Sequence, residues 1–359
     1  MVISMRRAGL WTWAFLVMLW AIPAWASPND EGKGPTFGLR PADQLDNAAV
    51  ARTEKPAEEA DVPQRPETQP AEAAGKATIP IVFNIKYWLF SDYIFRGINF
   101  SEYAGEGREK PNHQMTTSLA YNTENFGSFG FDTFFEWYAA QEKLNPYGGA
   151  QNLQEYDFYL WYQYDVAPIA TTVRLAYNFY EFPNSAALLR KDKRHGNNNN
   201  NETHEFQLTL THNDAWMWKW LWPDNEEGVL NPQFVFVQDY GVTGGGVWME
   251  FGVSHPFTFD AIPNVTLTPS WRLTADGAYL RKLLAVQSRD NDAWRLAYSQ
   301  WGLDLTYDLT SLLHLPKWAG SVAISGFLFY NQALGTAERD GTLHDEFFGG
   351  TAIGWTWGG

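Results

Sequence analysis

Seven histidines are the first place to look for chemistry in this chain: His113, His195, His204, His212, His255, His314 and His344. An imidazole binds metal or relays protons near neutral pH only in fixed company. A zinc hydrolase would show HExxH and a serine hydrolase a GxSxG turn, and neither string occurs. Glu202-Thr203-His204-Glu205 resembles a ligand cluster on paper, but alternate residues of a strand face opposite ways, so His204 turns away from Thr203 and Glu205. His204 and His212 fall in phase with Phe206, Leu208 and Leu210, as strand residues would. Cysteine is absent, which removes disulfides, thiolate metal sites and thiol nucleophiles. The sequence therefore calls for no catalytic residue, metal or cofactor.

The other chemically loaded pattern is charge at alternate positions. On the polar parity of strand-like segments lie Asp92, Asp132, Glu136, Glu155, Asp157, Asp165, Glu205, Glu250, Asp304 and Asp308, against Lys86, Arg96, Arg174 and Arg272. If that parity lines a lumen, its acidic excess in a low-dielectric wall concentrates cations and repels anions. The expected behaviour is mild cation preference. In the competing reading these charges only pair with and hydrate a narrow or plugged interior.

The elements needed to position them are twelve segments of period-2 alternation, at 82–97, 113–123, 127–139, 153–166, 169–182, 203–213, 229–241, 245–258, 262–276, 293–309, 319–331 and 345–357. In the fourth, Tyr156, Phe158, Leu160, Tyr162 and Tyr164 oppose Glu155, Asp157, Gln163 and Asp165; in the ninth, Val265, Leu267, Trp271 and Leu273 oppose Thr266, Thr268, Ser270 and Arg272. A soluble sandwich also alternates. Three features favour a membrane barrel: aromatic residues gathered toward segment ends, segments long enough to cross a bilayer tilted, and connectors that alternate in length. Long polar loops (98–112, 140–152, 183–202, 277–292, 332–344) follow odd segments, and tight links such as 124–126 and 167–168 follow even ones. Two connectors break the alternation. Residues 241–245 are short where a loop is due. Residues 214–228 are long where a turn is due, and carry Trp216, Trp218, Trp220 and Trp222, either a thirteenth strand or, as favoured here, an extended interfacial segment with indoles at headgroup depth.

Ahead of the alternating region, Arg6 and Arg7 precede an apolar run from Leu10 to Ile22 that closes on Ala24-Trp25-Ala26, the pattern of a signal peptide over 1–26. Residues 27–78 are rich in Pro, Ala and Glu and read as a disordered periplasmic linker. Residues 79–359 form the barrel. Trp 18, Tyr 17 and Phe 24 make the chain 16% aromatic, yet its mean hydropathy is only −0.36, a pairing that suits strands with one greasy and one wet face. Net charge of −15 excludes a nucleic-acid partner, whose phosphates need clustered Lys and Arg.

Ser91-Asp92-Tyr93-Ile94-Phe95-Arg96-Gly97-Ile98 resembles the opening strand of the TorF-type porin family, small outer-membrane barrels. The chain differs from that group in its long acidic linker and in Asn99, where a small hydroxyl residue is common. Read as a strand, the segment places Asp92 and Arg96 in the lumen as an ion pair and Tyr93 and Phe95 toward lipid. In the last segment, Phe347, Ile353, Trp355 and Trp357 resemble the alternating aromatic signal read by the outer-membrane assembly machinery, although the chain ends in Gly358-Gly359. The expectation is an all-β chain: one twelve-stranded antiparallel outer-membrane barrel with both termini periplasmic, embedded in lipid and passing small hydrophilic solutes. Solute identity, pore radius and homo-oligomerisation stay open. The rival expectations are a barrel enzyme acting on lipid or glycan, and a soluble secreted carbohydrate-binding sandwich.

Overall fold

The structure, a computed structural model, describes residues 80–99, 111–123, 126–138, 153–181, 202–223, 228–259, 261–280, 294–339 and 341–358. The expected signal peptide and linker, loops 140–152 and 183–201, and His195 lie outside them.

Twelve strands form the wall: β1 (Ile81–Phe90), β2 (Asn112–Thr123), β3 (Gly127–Tyr138), β4 (Leu153–Val166), β5 (Thr171–Glu181), β6 (Glu202–His212), β7 (Gln233–Asp239), β8 (Val247–Ser254), β9 (Ile262–Gly277), β10 (Trp294–Asp308), β11 (Ser321–Ala333) and β12 (Glu346–Gly358). Each pairs antiparallel with the next in sequence. β12 then returns to β1, from Val82↔Gly358 to Phe90↔Gly350, so the sheet closes. Closure satisfies both edges of every strand, which an open sheet in lipid could not do. Each expected segment corresponds to one strand of the wall, and a two-layer sandwich is ruled out.

Alternation resolves in the sense opposite to a soluble protein. Leu119, Tyr121, Phe129, Leu160, Leu175, Tyr177, Leu303, Leu305, Leu328 and Ile353 stand exposed on the outside. Asn112, Gln114, Asp132, Glu136, Asn178, Gln207, Thr274 and Asn331 are buried inside. In water this would be an inverted fold, exposing a continuous apolar belt far larger than soluble surfaces carry.

Two expectations need correction. The wall leaves β1 at Phe90, not residue 97: residues 91–99 turn into the barrel, where Ile94↔Asn99 and Phe95↔Ile98 pair as a small hairpin. Its two-residue loop has positive φ at both positions, Arg96 at 49° and Gly97 at 82°, the backbone of the tight turns that suit right-twisted hairpins. A Cβ on Gly97 would lie 2.7 Å from Tyr298 Cδ1, so glycine is demanded twice. Tyr93 and Phe95 consequently do not face lipid; both are buried in the interior.

The tryptophan string is neither a thirteenth strand nor extended. Ala215–Trp218 forms a short helix, α1. The Asp214 carboxylate accepts the backbone N–H groups of Val229 (2.7 Å), Leu230 (3.1 Å) and Asn231 (3.2 Å) and the Trp218 indole (2.8 Å), drawing the two ends of the excursion together. Trp216, Trp220 and Trp222 are left exposed.

Candidate functional site: the barrel interior

Strand parity brings the predicted charges together. Lys86 on β1, Asp132 and Glu136 on β3, Glu155 and Asp157 on β4, Arg174 on β5, Glu205 on β6, Glu250 on β8, Arg272 on β9 and Asp304 on β10 are all buried on the inward face. Asp92 and Arg96 are buried too, carried there by the hairpin. Asp308 sits at the rim, where its carboxylate accepts the Thr310 N–H at 2.7 Å. Asp165 is an exposed strand-end residue bonded by the Thr172 hydroxyl at 2.5 Å.

The expected Asp92–Arg96 pair does not form. Arg96 instead reaches across the lumen to Glu205, with Nη1 to Oε1 at 2.7 Å and Nη2 to Oε2 at 2.8 Å. A one-residue strand parity cannot anticipate this, because the positive-φ turn at 96–97 reverses the chain and carries the guanidinium away from Asp92. Asp92 receives the Asn99 amide at 3.4 Å. The same Glu205 also accepts the hydroxyls of Tyr180 (2.9 Å) and Tyr279 (2.5 Å). The Arg96 guanidinium lies 4.0 Å from the Tyr279 ring centre and 4.8 Å from that of Phe95. Four elements thus converge on one charge-assisted, aromatic-walled pair.

Beside it lies an acid-rich stretch. Glu136 and Glu155 face each other across β3 and β4, Tyr93 donates its hydroxyl to Glu155, and Tyr159 donates to Asp157 at 2.6 Å. Further pairs stitch the wall: Arg174–Asp132 at 2.9 Å, with Arg174 stacked 4.6 Å over Trp161, and Arg272–Glu250 at 3.0 Å. Three charged residues escaped the sequence reading. Asp239 and Asp276 lie on the inward parity of β7 and β9 and were legible there. Arg295, which binds Asp276 at 2.9 Å, was not: the irregularity at Leu273/Ala275 shifts the phase of that end of β10.

Apolar packing fills the end of the barrel that carries the long connectors. Tyr93, Phe95 and Ile98 join Phe134, Trp248, Tyr279, Tyr298 and Leu343 in one cluster, while Ile94 joins Trp88, Phe90, Phe327 and Phe348 in another. The hairpin therefore sits as an inner plug at the loop end. Toward the turn end the inward positions are mostly small and polar, such as Ser118, Thr209, Thr268, Thr306 and Thr356.

The histidines of the wall sit on the outer face. His113 stacks on Trp137 and pairs with the Tyr87 hydroxyl; His204 pairs with the Tyr177 hydroxyl at 2.6 Å; His212 meets the Trp216 indole at 3.1 Å. Among the described residues no three His, Asp or Glu side chains are grouped to hold a metal ion. Phe347, Ile353 and Trp355 stand exposed on the outer face of β12, and the indoles of Trp355 and Trp357 donate to the carbonyls of Ala319 (2.7 Å) and Trp318 (2.9 Å).

No known protein family and no curated protein matches the sequence. Solved outer-membrane proteins overlap it loosely. An outer membrane channel from Pseudomonas putida F1 is 9% identical with a TM-score of 0.39, covering 81% of this chain and 100% of that one. KdgM porin in complex with disordered oligogalacturonate is 8% identical with a TM-score of 0.36, covering 76% and 98%. The outer membrane protein OprD from Pseudomonas aeruginosa is 9% identical with a TM-score of 0.30, covering 79% and 95%. Overlaps this loose say nothing of cargo, and the functional reading rests on this chain's own surfaces.

Proposed function

We propose that the chain is an outer-membrane, porin-like channel for small hydrophilic solutes, mildly cation-preferring and narrowed at its loop end. One observation carries the reading: a closed twelve-strand wall with its apolar face outward and its charged face inward. That inversion is stable only with lipid outside and something polar inside. The short-turn end and both termini would lie in the periplasm, by the usual asymmetry of such barrels. The likeness of residues 91–98 to TorF-type porins supports the same reading.

Cation preference follows from the interior charge. Buried Asp92, Asp132, Glu136, Glu155, Asp157, Glu205, Asp239, Glu250, Asp276 and Asp304 face Lys86, Arg96, Arg174, Arg272 and Arg295. The excess is negative in a wall of low dielectric, where charge acts at longer range than in water. The β12 residues Phe347, Ile353, Trp355 and Trp357 serve as the assembly signal in this reading, and the lining charges as the selectivity determinants.

Planar-bilayer recording across a potassium chloride gradient tests it. Discrete conductance steps with a reversal potential of the cation-selective sign are expected. Anion selectivity would overturn the preference, and silence from correctly folded, heat-modifiable protein would overturn the channel.

A further inference from the structure

We propose that the Arg96 guanidinium is a tethered stand-in for the cargo, and that the barrel admits guanidinium-bearing solutes by letting them displace Arg96 from Glu205. The inference rests on the channel reading and names its substrate class.

The carboxylate fork and two of the aromatic faces around Arg96 come from outside the hairpin that carries it. Glu205 on β6 offers both carboxylate oxygens side-on, the geometry that selects a planar fork over a point charge. Tyr180 on β5 and Tyr279 after β9 orient that carboxylate by donating to it, at 2.9 Å and 2.5 Å. The Tyr279 ring supplies a π-face 4.0 Å from the guanidinium and Trp248 on β8 a second, at 5.9 Å. None of these groups belongs to the hairpin, so withdrawing it leaves a formed site.

The hairpin's own ladder does not hold it in place. It holds two residue pairs, far short of a ladder that is stable alone, and its order comes from packing inside the barrel. Its tip places Arg96 at φ 49°, a backbone region that side-chain-bearing residues enter at a cost. The guanidinium anchors that tip.

Charge then decides what can replace it. Glu205 is fully buried, and withdrawal of Arg96 alone would strand its carboxylate in a low-dielectric site. Exchange for another guanidinium restores the paired carboxylate bonds and the Tyr279 and Trp248 faces, though not the Phe95 ring that leaves with the hairpin. A neutral solute of the same shape restores none of the charge. Beyond Glu205 the arrangement continues: Tyr180 lies edge-on to Tyr159 at 5.8 Å, and Tyr159 donates to Asp157. Among the described residues Glu136 Oε2 is a buried atom without a hydrogen-bond partner, and Glu155 lies between it and Asp157 in the wall. A cation released from Glu205 therefore moves next to further carboxylates.

The test uses the full chain in planar bilayers and, in parallel, tryptophan emission in detergent, with millimolar guanidinium chloride against sodium chloride at equal ionic strength and against urea, the neutral isostere. Wild-type conductance should rise and saturate with guanidinium and ignore urea. Arg96→Ala should conduct more than wild type in sodium chloride alone and bind guanidinium at least about tenfold more tightly, since a charge-assisted competitor has gone. Should Arg96→Ala fail to fold, Arg96→Lys keeps the charge but not the fork and should open at lower guanidinium than wild type. Conductance indifferent to both guanidinium and Arg96 substitution overturns the inference while leaving the channel standing. A folded barrel that never conducts sinks the channel; the emission titration then still decides the cage, because absence of guanidinium-specific binding in the Arg96 variants overturns it.

Discussion

Leu160 and Ile169 have the same fractional exposure, 58% each, and that coincidence gives a sharp test of the lipid-facing belt. In a water-soluble protein, replacing either by arginine would be nearly neutral, since each is an exposed apolar residue. In a bilayer their depths separate them. Leu160 lies seven residues from the start of β4 and six from its end, between outward-facing Phe131 and Tyr177. A strand rising ~3.3 Å per residue at ~40° tilt gains about 2.5 Å of depth per residue, which puts Leu160 about 15–18 Å from either strand end and near the midplane. Ile169 sits in the turn that follows, at the rim. Arginine costs ~2–4 kcal/mol at the midplane and ~0–1 kcal/mol near the interface, so Leu160→Arg should destabilise more than Ile169→Arg by roughly 2–3 kcal/mol. The assay is reversible unfolding in phosphatidylcholine vesicles, followed by tryptophan emission against denaturant. Equal stabilities for the two variants, within about 0.5 kcal/mol of each other, would refute the lipid-facing assignment and with it the functional proposal.

Three further outcomes follow from side-chain substitutions. Gly97→Ala should loosen the inner hairpin by ~1–2 kcal/mol for the left-handed backbone alone, with more from the clash on Tyr298, and should appear as faster amide exchange at Phe95 and Ile98 while the wall stays protected. Burial pushes the Asp214 carboxyl up, but hydrogen bonds from Trp218, Leu230, Asn231 and Val229 outweigh it and hold its pKa below the ordinary value. Its folded pKa being depressed, the stabilisation it contributes is present above the unfolded carboxylate pKa and is lost as pH falls through the folded value; an acid titration of Trp emission should show that step in wild type and not in Asp214→Asn. Replacing Trp355 and Trp357 together by Asp should leave the protein in the periplasm in cell fractionation, and normal insertion would dismiss β12 as the assembly signal.

Most of the wall was legible because a period of two is a property of consecutive residues. Tyr156 to Asp165 reveal both faces of β4 without any knowledge of their neighbours, and ten of the predicted interior charges needed nothing more. What alternation could not say was which face meets water, since a sandwich and a membrane barrel share the pattern; closure of β12 on β1 with the apolar parity outward settles it. The failures all lie where the chain stops being extended. Residues 91–97 continue the alternation of β1 unbroken, and only the Arg96-Gly97 pair, a two-residue turn flanked by apolar residues, marks the hairpin. The tryptophans of 216–222 repeat every second residue, yet only Ala215–Trp218 is helical and Trp220 and Trp222 lie beyond it, while Asp214 ties the segment to backbone fifteen to seventeen residues away in sequence.

The inner hairpin also explains how so acidic an interior can pack aromatic rings. A lumen lined only by its wall residues would leave Glu205 buried among Tyr180, Tyr279 and Trp248 with no cation in reach of both oxygens, and its desolvation would oppose that packing. Folding residues 91–99 inward delivers Arg96 to that carboxylate and Tyr93, Phe95 and Ile98 to the cluster in the same step. Charge neutralisation and apolar filling are therefore coupled through one short segment. Anything that removes the charge match at Glu205 must also loosen the plug, and for that reason the interior's electrostatics and its aperture cannot be varied independently.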